Sequence, residues 1–100
     1  MFIHTVYFWF EDDLDSQALA AAEEGLQSLT KDPSVHHGMF GKPADTHRSV
    51  VDNTYSYGLA LVFDDQAAHD AYQVGEVHQR FLAEHKTKWH RVVVYDTQTS

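Results

Sequence analysis

Cysteine is absent from this sequence. Its absence excludes disulfide bonds, thiolate metal sites and cysteine nucleophiles. No apolar run approaches the roughly 18 residues that a membrane-spanning helix requires, so a membrane partner is not expected. The N-terminus also lacks the basic segment and small-residue cleavage site of a signal peptide, which favours a soluble, cytoplasmic protein.

Basic residues are scarce. The chain has 7 lysines and arginines against 15 aspartates and glutamates, which gives a formal net charge of −8 at pH 7. A field of this sign repels phosphate backbones, and no local cluster of basic residues offsets it. Nucleic acid is therefore not an expected partner. Histidine is plentiful, with 8 residues, but the histidine spacings match no zinc signature, and neither a metal site nor a cofactor is predicted.

The sequence does contain enough apolar material for one packed domain. Its 100 residues are 43% hydrophobic and 13% aromatic, which is typical of a globular protein. We expect a single domain over residues 1–100.

The first strong pattern is an alternation from Phe2 to Phe10, which predicts a β-strand. Both faces of this strand are largely apolar, so it is expected to be a central strand that is covered on both sides. His4 is the one imidazole on its even-numbered face.

Capping and turn signals divide the rest of the chain. A helix is predicted over 16–31 with Asp15 or Ser16 as its cap. A second helical region is predicted to be capped by Asp64 and Asp65 and to be interrupted at Gly75. Three further strands are predicted over 35–42, 55–63 and 89–96.

The resulting order, β-α-β-β-α-β, is that of the α+β ferredoxin-like sandwich, in which the helices cover one face of an antiparallel sheet. Ile3, Tyr7 and Trp9 would then form an apolar patch on the uncovered face. Two protomers that pack sheet against sheet would bury this patch, so a homodimer is predicted.

Several motifs, in order along the chain, resemble the stress-responsive dimeric α/β-barrel (Dabb) family. They are the opening M-x-x-H-x-V, the pair Gly41-Lys42, the strand YSYGLALVF running into FDD, the run A-Y-x5-H-x2-F from Ala71 to Phe81, and the closing VVYD. The resemblance covers essentially the whole chain. It implies a ferredoxin-like protomer whose sheet closes with a second copy into a dimeric α/β barrel.

Within that family, the chain is similar to plant polyketide cyclases, in which a histidine acts as acid and base beside a tyrosine. The matching positions, His78 and Tyr72, are the predicted catalytic residues. Many family members read H-P-x-H where this chain reads Gly75-Glu76-Val77-His78, and the predicted first helix has alanines where the cyclase has bulky pocket residues. The residues expected to bind the ligand are His4, Val6, Phe8, Tyr57, Leu59, Leu61, Phe81 and Trp89.

Gly75 decides whether the two catalytic candidates can meet. On one continuous helix, six residues correspond to about 600°, so Tyr72 and His78 would point about 120° apart. A left-handed Gly75 would end the first helix and let a second begin at Glu76, which would allow the two side chains to converge. The alternative interpretation is that both are packing residues whose polar tips reach water.

If they converge, the pair suits cofactor-free enolisation. An imidazole with a pKa near 6.5 can take up and return a proton at neutral pH, while a phenol stays protonated and can donate a hydrogen bond to an enolate oxygen. His78 would remove the α-proton of a β-keto compound and Tyr72 would hold the oxygen, as an aldol-type cyclisation requires. The predicted enzyme, if there is one, is a cofactor-independent lyase or cyclase.

Two other functions stay open on the sequence. The chain could be a non-catalytic, stress-related module that binds a small apolar or aromatic metabolite in the same cavity. It could also be a cofactor-free or heme-directed monooxygenase, although such enzymes commonly rely on an asparagine, and the one asparagine here, Asn53, lies in a predicted loop. His4 is expected to be a hydrogen-bonded core residue or a ligand contact, and His85 to be structural or solvated.

Overall fold

A computed structural model describes residues 1–99 of the chain. Four antiparallel strands form one sheet in the order β2-β3-β1-β4, with three α-helices and a single 3₁₀ turn at Lys86–Lys88. This is the predicted ferredoxin-like α+β fold. The elements are β1 Phe2–Phe10, α1 Ser16–Thr30, β2 His37–Gly41, β3 Tyr57–Phe63, α2 Gln66–Val74, α3 Glu76–His85 and β4 Trp89–Gln98.

The helices cover one face of the sheet, as predicted. Along β1 the even-numbered residues are buried and the odd-numbered residues are only half-buried. The same alternation runs along β3, where the side chains of Tyr57, Leu59, Leu61 and Phe63 are all buried. The apolar core therefore lies between this face and the helices. It comprises Phe2, Val6, Phe8, Phe10, Ala22, Leu26, Leu29, Tyr57, Leu59, Leu61, Phe63, Tyr72 and Phe81.

Both predicted helix starts carry aspartate caps. Asp15 Oδ1 accepts a hydrogen bond from the backbone N–H of Ala18 at 2.8 Å, and Asp65 Oδ1 accepts one from Ala68 at 2.9 Å. Each cap satisfies a backbone donor that the first helical turn leaves free. Among residues 1–99, no helix is long and apolar enough to cross a membrane.

Gly25 marks a close approach between α1 and α3. A Cβ atom on Gly25 would lie 2.6 Å from His85 Nε2 and 3.0 Å from Phe81 Cδ1. The imidazole of His85 has little freedom to retreat, because it is buried and its Nδ1 accepts a hydrogen bond from Lys88 Nζ at 3.0 Å. Any side chain at position 25 must therefore push the two helices apart.

Replacing Gly25 with alanine is expected to lower the free energy of unfolding by about 1–3 kcal/mol, the usual cost of overpacking. The direction is opposite to the helix-propensity effect, which favours alanine over glycine by about 1 kcal/mol. Urea denaturation measures the difference. Gly41→Ala is the matched control, since a Cβ atom there meets nothing within 4 Å. A Gly25→Ala protein as stable as the parent would contradict the tight packing of α1 on α3.

The opposite face of the sheet has no helix on it within residues 1–99. Tyr7 and Trp9 project from this open face, and the Arg91 guanidinium lies 4.3 Å from the centre of the Trp9 ring. Two depressions of about 290 and 360 Å³ lie on it. Its apolar and aromatic side chains are those of Ile3, Tyr7, Trp9, Met39, Val62, Val93 and Tyr95. The open face is thus as apolar as the sequence predicted.

Candidate functional site

A cavity of about 190 Å³ lies between the helices and the covered face of the sheet. Eight of the ten predicted site residues border it: His4, Val6, Phe8, Leu59, Tyr72, His78, Phe81 and Trp89. Five further residues complete its wall: Leu29, Gln73, Leu82, Val92 and Val94.

Tyr57 and Leu61, which were expected to bind ligand, do not border this cavity. They share the face of Leu59 on β3 and pair with Phe8 and His4 of β1, but Leu59 is the one residue of β3 in the cavity wall, which the sheet otherwise supplies from β1 and β4. Leu61 is fully buried in the core. The Tyr57 ring lies 5.3 Å from that of Phe10, and burial, helped by the nearby Glu23 carboxylate, raises the pKa of Tyr57 to about 12.

Gly75 separates α2 from α3, but not in the predicted way. Its φ of −73° and ψ of 159° are extended, so the expected left-handed conformation is wrong. The extended residue redirects the chain without a positive φ, because its N–H donates to Tyr72 O at 3.1 Å while its own carbonyl accepts from Gln79 N at 3.0 Å. A Cβ atom here would lie 3.1 Å from Ala71 O, so close approach of the backbone favours glycine.

The break brings the two catalytic candidates together. The ring centres of Tyr72 and His78 are 4.9 Å apart, with the planes inclined at 44°. His78 Nδ1 lies 3.0 Å from the carbonyl oxygen of Gln73. Because a carbonyl can only accept, Nδ1 carries the proton in this hydrogen bond and Nε2 retains a free lone pair. His78 is thereby held in the tautomer that a general base requires.

Burial shifts the pKa values of His78 and Tyr72 in the directions that enolisation needs. It lowers the pKa of His78, against smaller opposing effects of the Gln73 carbonyl and the Asp32 carboxylate. The imidazole is therefore neutral at pH 7. Tyr72 is only 1% exposed, and burial, with a smaller contribution from Asp32, raises the pKa of its hydroxyl. The phenol stays protonated and able to donate.

His4 is the hydrogen-bonded core residue that was expected, and its contact with a ligand stays a prediction. It is buried on β1, and its Nδ1 is 2.6 Å from Asp96 Oδ1 on the neighbouring strand, so it is a hydrogen-bonded core residue. It also borders the cavity, with its ring centre 6.1 Å from that of Tyr72. Burial lowers the pKa of His4 more than the hydrogen bond to Asp96 raises it.

Gln73 is a wall residue that the sequence did not suggest. Its backbone carbonyl orients His78, and its side-chain Oε1 is buried without a hydrogen-bond partner in the part of the chain described. A buried acceptor without a donor is costly, so a ligand or water that donates a hydrogen bond here would gain affinity. Its position next to Tyr72 was the available signal, but helical spacing gave no reason to turn a glutamine inward.

His85 is structural and not solvated. It is 4% exposed, and burial together with the neighbouring Lys88 charge lowers its pKa. With the buried His4 and the half-buried His78, it forms a set of three histidines whose folded-state pKa values all lie below the ordinary value.

These three histidines predict that the protein loses stability as the pH falls below about 6.5. In that range the unfolded chain takes up protons that the native imidazoles resist, so the free energy of unfolding falls by up to about 1.4 kcal/mol per pH unit for each histidine. Urea denaturation at several pH values between neutral and mildly acidic measures this slope. His85→Gln should make it shallower. A free energy of unfolding that is constant or rises on acidification in this window would contradict the prediction.

Comparison with known proteins gives the family. The sequence model of the Stress Responsive A/B Barrel Domain (Dabb) matches residues 2–99. A search of curated protein sequences found no significant match.

Solved structures share the fold at low sequence identity. A protein from Arabidopsis thaliana superposes with a TM-score of 0.82 at 17% identity, covering 100% of this chain and 96% of that one. A dimeric ferredoxin-like protein of unknown function from Thermobifida fusca gives 0.79 at 17%, covering 98% and 90%. The hydroxynitrile lyase of Passiflora edulis gives 0.78 at 15%, covering 96% and 90%. By the family match, which spans nearly its whole length, this chain belongs to the stress-responsive A/B barrel (Dabb) domain family.

Proposed function

We propose that this protein is a homodimer that binds a small apolar or aromatic carbonyl compound in the cavity and catalyses its enolisation, with His78 as general base and Tyr72 as hydrogen-bond donor. The observation that carries the proposal is the approach of the two rings to 4.9 Å on the wall of a single cavity. Two polar aromatics with altered pKa values in one cleft are the common signature of a catalytic site.

The chemistry follows from the two protonation states. The free Nε2 of neutral His78 takes a proton from the carbon next to the substrate carbonyl, and the electron pair left behind moves onto the carbonyl oxygen. The Tyr72 hydroxyl donates a hydrogen bond to that oxygen as its negative charge develops. His78 then holds the proton that it returns in a later step. The enolate can attack a second carbonyl, which is the bond-forming step of an aldol-type cyclisation.

The cavity wall indicates the kind of substrate. Apart from Tyr72, His78, His4 and Gln73, its residues are apolar, with Phe8, Phe81 and Trp89 supplying aromatic surface. At about 190 Å³, it is smaller than the roughly 300–1,000 Å³ of drug-sized ligand sites. A compact aryl or short alkyl ketone suits these dimensions, and the unpartnered Gln73 Oε1 favours a substrate that also carries a hydroxyl donor.

The open face of the sheet supports the homodimer. A contiguous apolar patch of this kind is unusual on a monomer and is typical of an interface. A ferredoxin-like protein with the same fold is described as dimeric. Packing two open faces together leaves the cavity, which is on the opposite side of the sheet, complete within each protomer.

The alternative monooxygenase gains no support from the position of Asn53. This residue lies in the loop before β3, where its Nδ2 donates to Thr46 O at 3.1 Å, and it is not among the residues of the cavity wall.

The proposal is tested by exchange of the α-protons of aryl β-keto esters in D₂O, followed by NMR, with quenching of tryptophan fluorescence as the binding readout. Exchange should be about 10²–10⁴-fold faster with protein than in buffer alone, the usual contribution of a positioned base. Quenching without exchange would overturn the catalytic role and leave the non-catalytic binding module. Neither quenching nor exchange across the panel would overturn the proposal as a whole.

A further inference from the structure

Three side chains from distant parts of the chain meet beside the cavity. His4 on β1, His69 on α2 and Asp96 on β4 each offer one potential ligand atom, and these atoms all lie within 4.8 Å of one another. No local spacing signals this cluster, because its members lie far apart in the sequence. The histidine spacings alone gave no reason to expect a metal site.

His69 is the member of the cluster that has an unsatisfied hydrogen-bond acceptor. Its side chain is buried, with the residue only 8% exposed, and its Nδ1 lies 3.0 Å from Asp70 Oδ1. A carboxylate accepts, so Nδ1 carries the proton and Nε2 is left with a lone pair. That Nε2 is buried and has no hydrogen-bond partner among the described residues.

The surroundings of His69 hold its ring in place. The imidazole stacks on Phe2 with ring centres 4.3 Å apart, and its centre lies 5.0 Å from that of His4. In metal sites, a histidine is commonly oriented in this way: one ring nitrogen donates a hydrogen bond to a carboxylate, and the other ring nitrogen is free to bind the ion. Among the described residues, no donor forms a hydrogen bond with His69 Nε2.

His4 and Asp96 complete the cluster from the sheet. They are cross-strand partners in the β1–β4 register, with His4 Nδ1 2.6 Å from Asp96 Oδ1. The Asp96 side chain is 40% exposed on the edge strand, so an ion can reach the cluster from solvent. A carboxylate also supplies the negative charge that two neutral imidazoles lack.

We propose that His4, His69 and Asp96 bind a divalent first-row transition-metal ion of the Zn²⁺ type. Two imidazoles and one carboxylate form the donor set that such ions prefer, whereas Mg²⁺ and Ca²⁺ prefer all-oxygen ligands. Three protein ligands leave a fourth tetrahedral position open. Because His4 also borders the cavity, the ion would lie at its edge. The site does not depend on proton transfer by His78 and stands whether or not the proposed enolisation occurs.

Loading the site requires a small movement. Ligand atoms about 2.0 Å from a tetrahedral ion lie about 3.3 Å from one another, so the most widely separated atoms of the cluster must draw closer. If His4 binds through Nδ1, the proton shared with Asp96 leaves to solvent as the metal bond forms. Metal binding should then release protons, which gives a second readout.

The test is titration of chelator-stripped protein with ZnCl₂ by calorimetry, and with CoCl₂ by visible absorption, in which tetrahedral Co²⁺ gives characteristic bands. We expect one ion per chain, release of protons into the buffer and no competition by MgCl₂. His69→Gln should weaken Zn²⁺ binding by at least about tenfold, since losing a direct ligand should cost no less than losing a group that only orients one. Asp96→Asn, which alters a partly exposed residue on the edge strand, should also weaken Zn²⁺ binding.

The matched control is His47→Gln. His47 Nε2 lies 2.6 Å from Asp45 Oδ1, the same separation as in the His4–Asp96 pair, but both side chains are exposed. This change should leave the Zn²⁺ affinity unaltered. Failure of the parent protein to take up Zn²⁺ or Co²⁺ would overturn the proposal, as would unchanged affinity in a folded His69→Gln or Asp96→Asn protein. Loss of binding in His47→Gln alone would assign the ion to the surface pair and equally overturn it.

Discussion

Replacing His78 with alanine is expected to lower the protein-catalysed rate of α-proton exchange in an aryl β-keto ester by about 10²–10⁴-fold. The substitution removes the His78 imidazole from the cavity wall. Its Nδ1 donates to a backbone carbonyl, which leaves Nε2 free to take up a proton. The apolar wall remains, so the concentration of ester that half-saturates the protein should change little. A large loss in kcat with a nearly constant KM is the signature of a group that acts mainly in the transition state.

His85→Gln is the control for this experiment. His85 is likewise a histidine of α3 with a lowered pKa, but it does not border the cavity. It should leave exchange unchanged. Tyr72→Phe keeps the ring and removes the hydroxyl, and it should cost about 10²–10³-fold in kcat, as the loss of an oxyanion donor does. Full exchange activity in His78→Ala would remove this residue from the mechanism, and the same loss in His85→Gln would point to a general effect on the fold.

Replacing Val93 with glutamate is expected to convert the proposed dimer to a monomer. Val93 is half-buried on the open face and pairs with Tyr7 in the β1–β4 register, near the middle of the apolar patch. A two-fold interface would bring two copies of the new carboxylate into a region that excludes water. Burying and opposing like charges costs several kcal/mol, so the dissociation constant should rise by about 10²-fold or more.

Sedimentation velocity over a range of concentrations measures the change. Val74→Glu is the matched control, since Val74 is 79% exposed at the end of α2 and lies outside the open face. It should sediment as the parent does. Because the cavity is complete within each protomer, Val93→Glu should retain ligand binding. A parent protein that is monomeric at all concentrations, or a Val93→Glu protein that stays dimeric, would show that the open face is not the interface.

Much of the fold could be predicted from local patterns. The alternation in β1 and β3 has a period of two, and a strand with one covered face must place every second residue inside, so the buried sets follow directly. The caps at Asp15 and Asp65 are local as well, because a capping side chain reaches only three residues along the chain. The break at Gly75 could also be predicted, because the tendency of glycine to interrupt a helix is a local property.

The details of the site were less accessible. The conformation of Gly75 was predicted incorrectly, since glycine permits both the left-handed and the extended form and the neighbouring hydrogen bonds choose between them. Leu61 and Tyr57 share a face with Leu59, and pattern alone could not show that the sheet residues of the cavity wall come mainly from β1 and β4. Helical periodicity could not predict that the side-chain oxygen of Gln73 would be buried.

The sequence by itself therefore determined the order of strands and helices and which face of each is apolar, and through family motifs it named Tyr72 and His78 as the catalytic candidates. Only the tertiary structure decided that eight of the ten predicted residues border one cavity, and that His4, His69 and Asp96 form a cluster. The reason is the range of the interactions: capping and alternation act over a few residues, whereas the cluster depends on strand register and on how α2 packs over β1, which the whole chain must fold to establish.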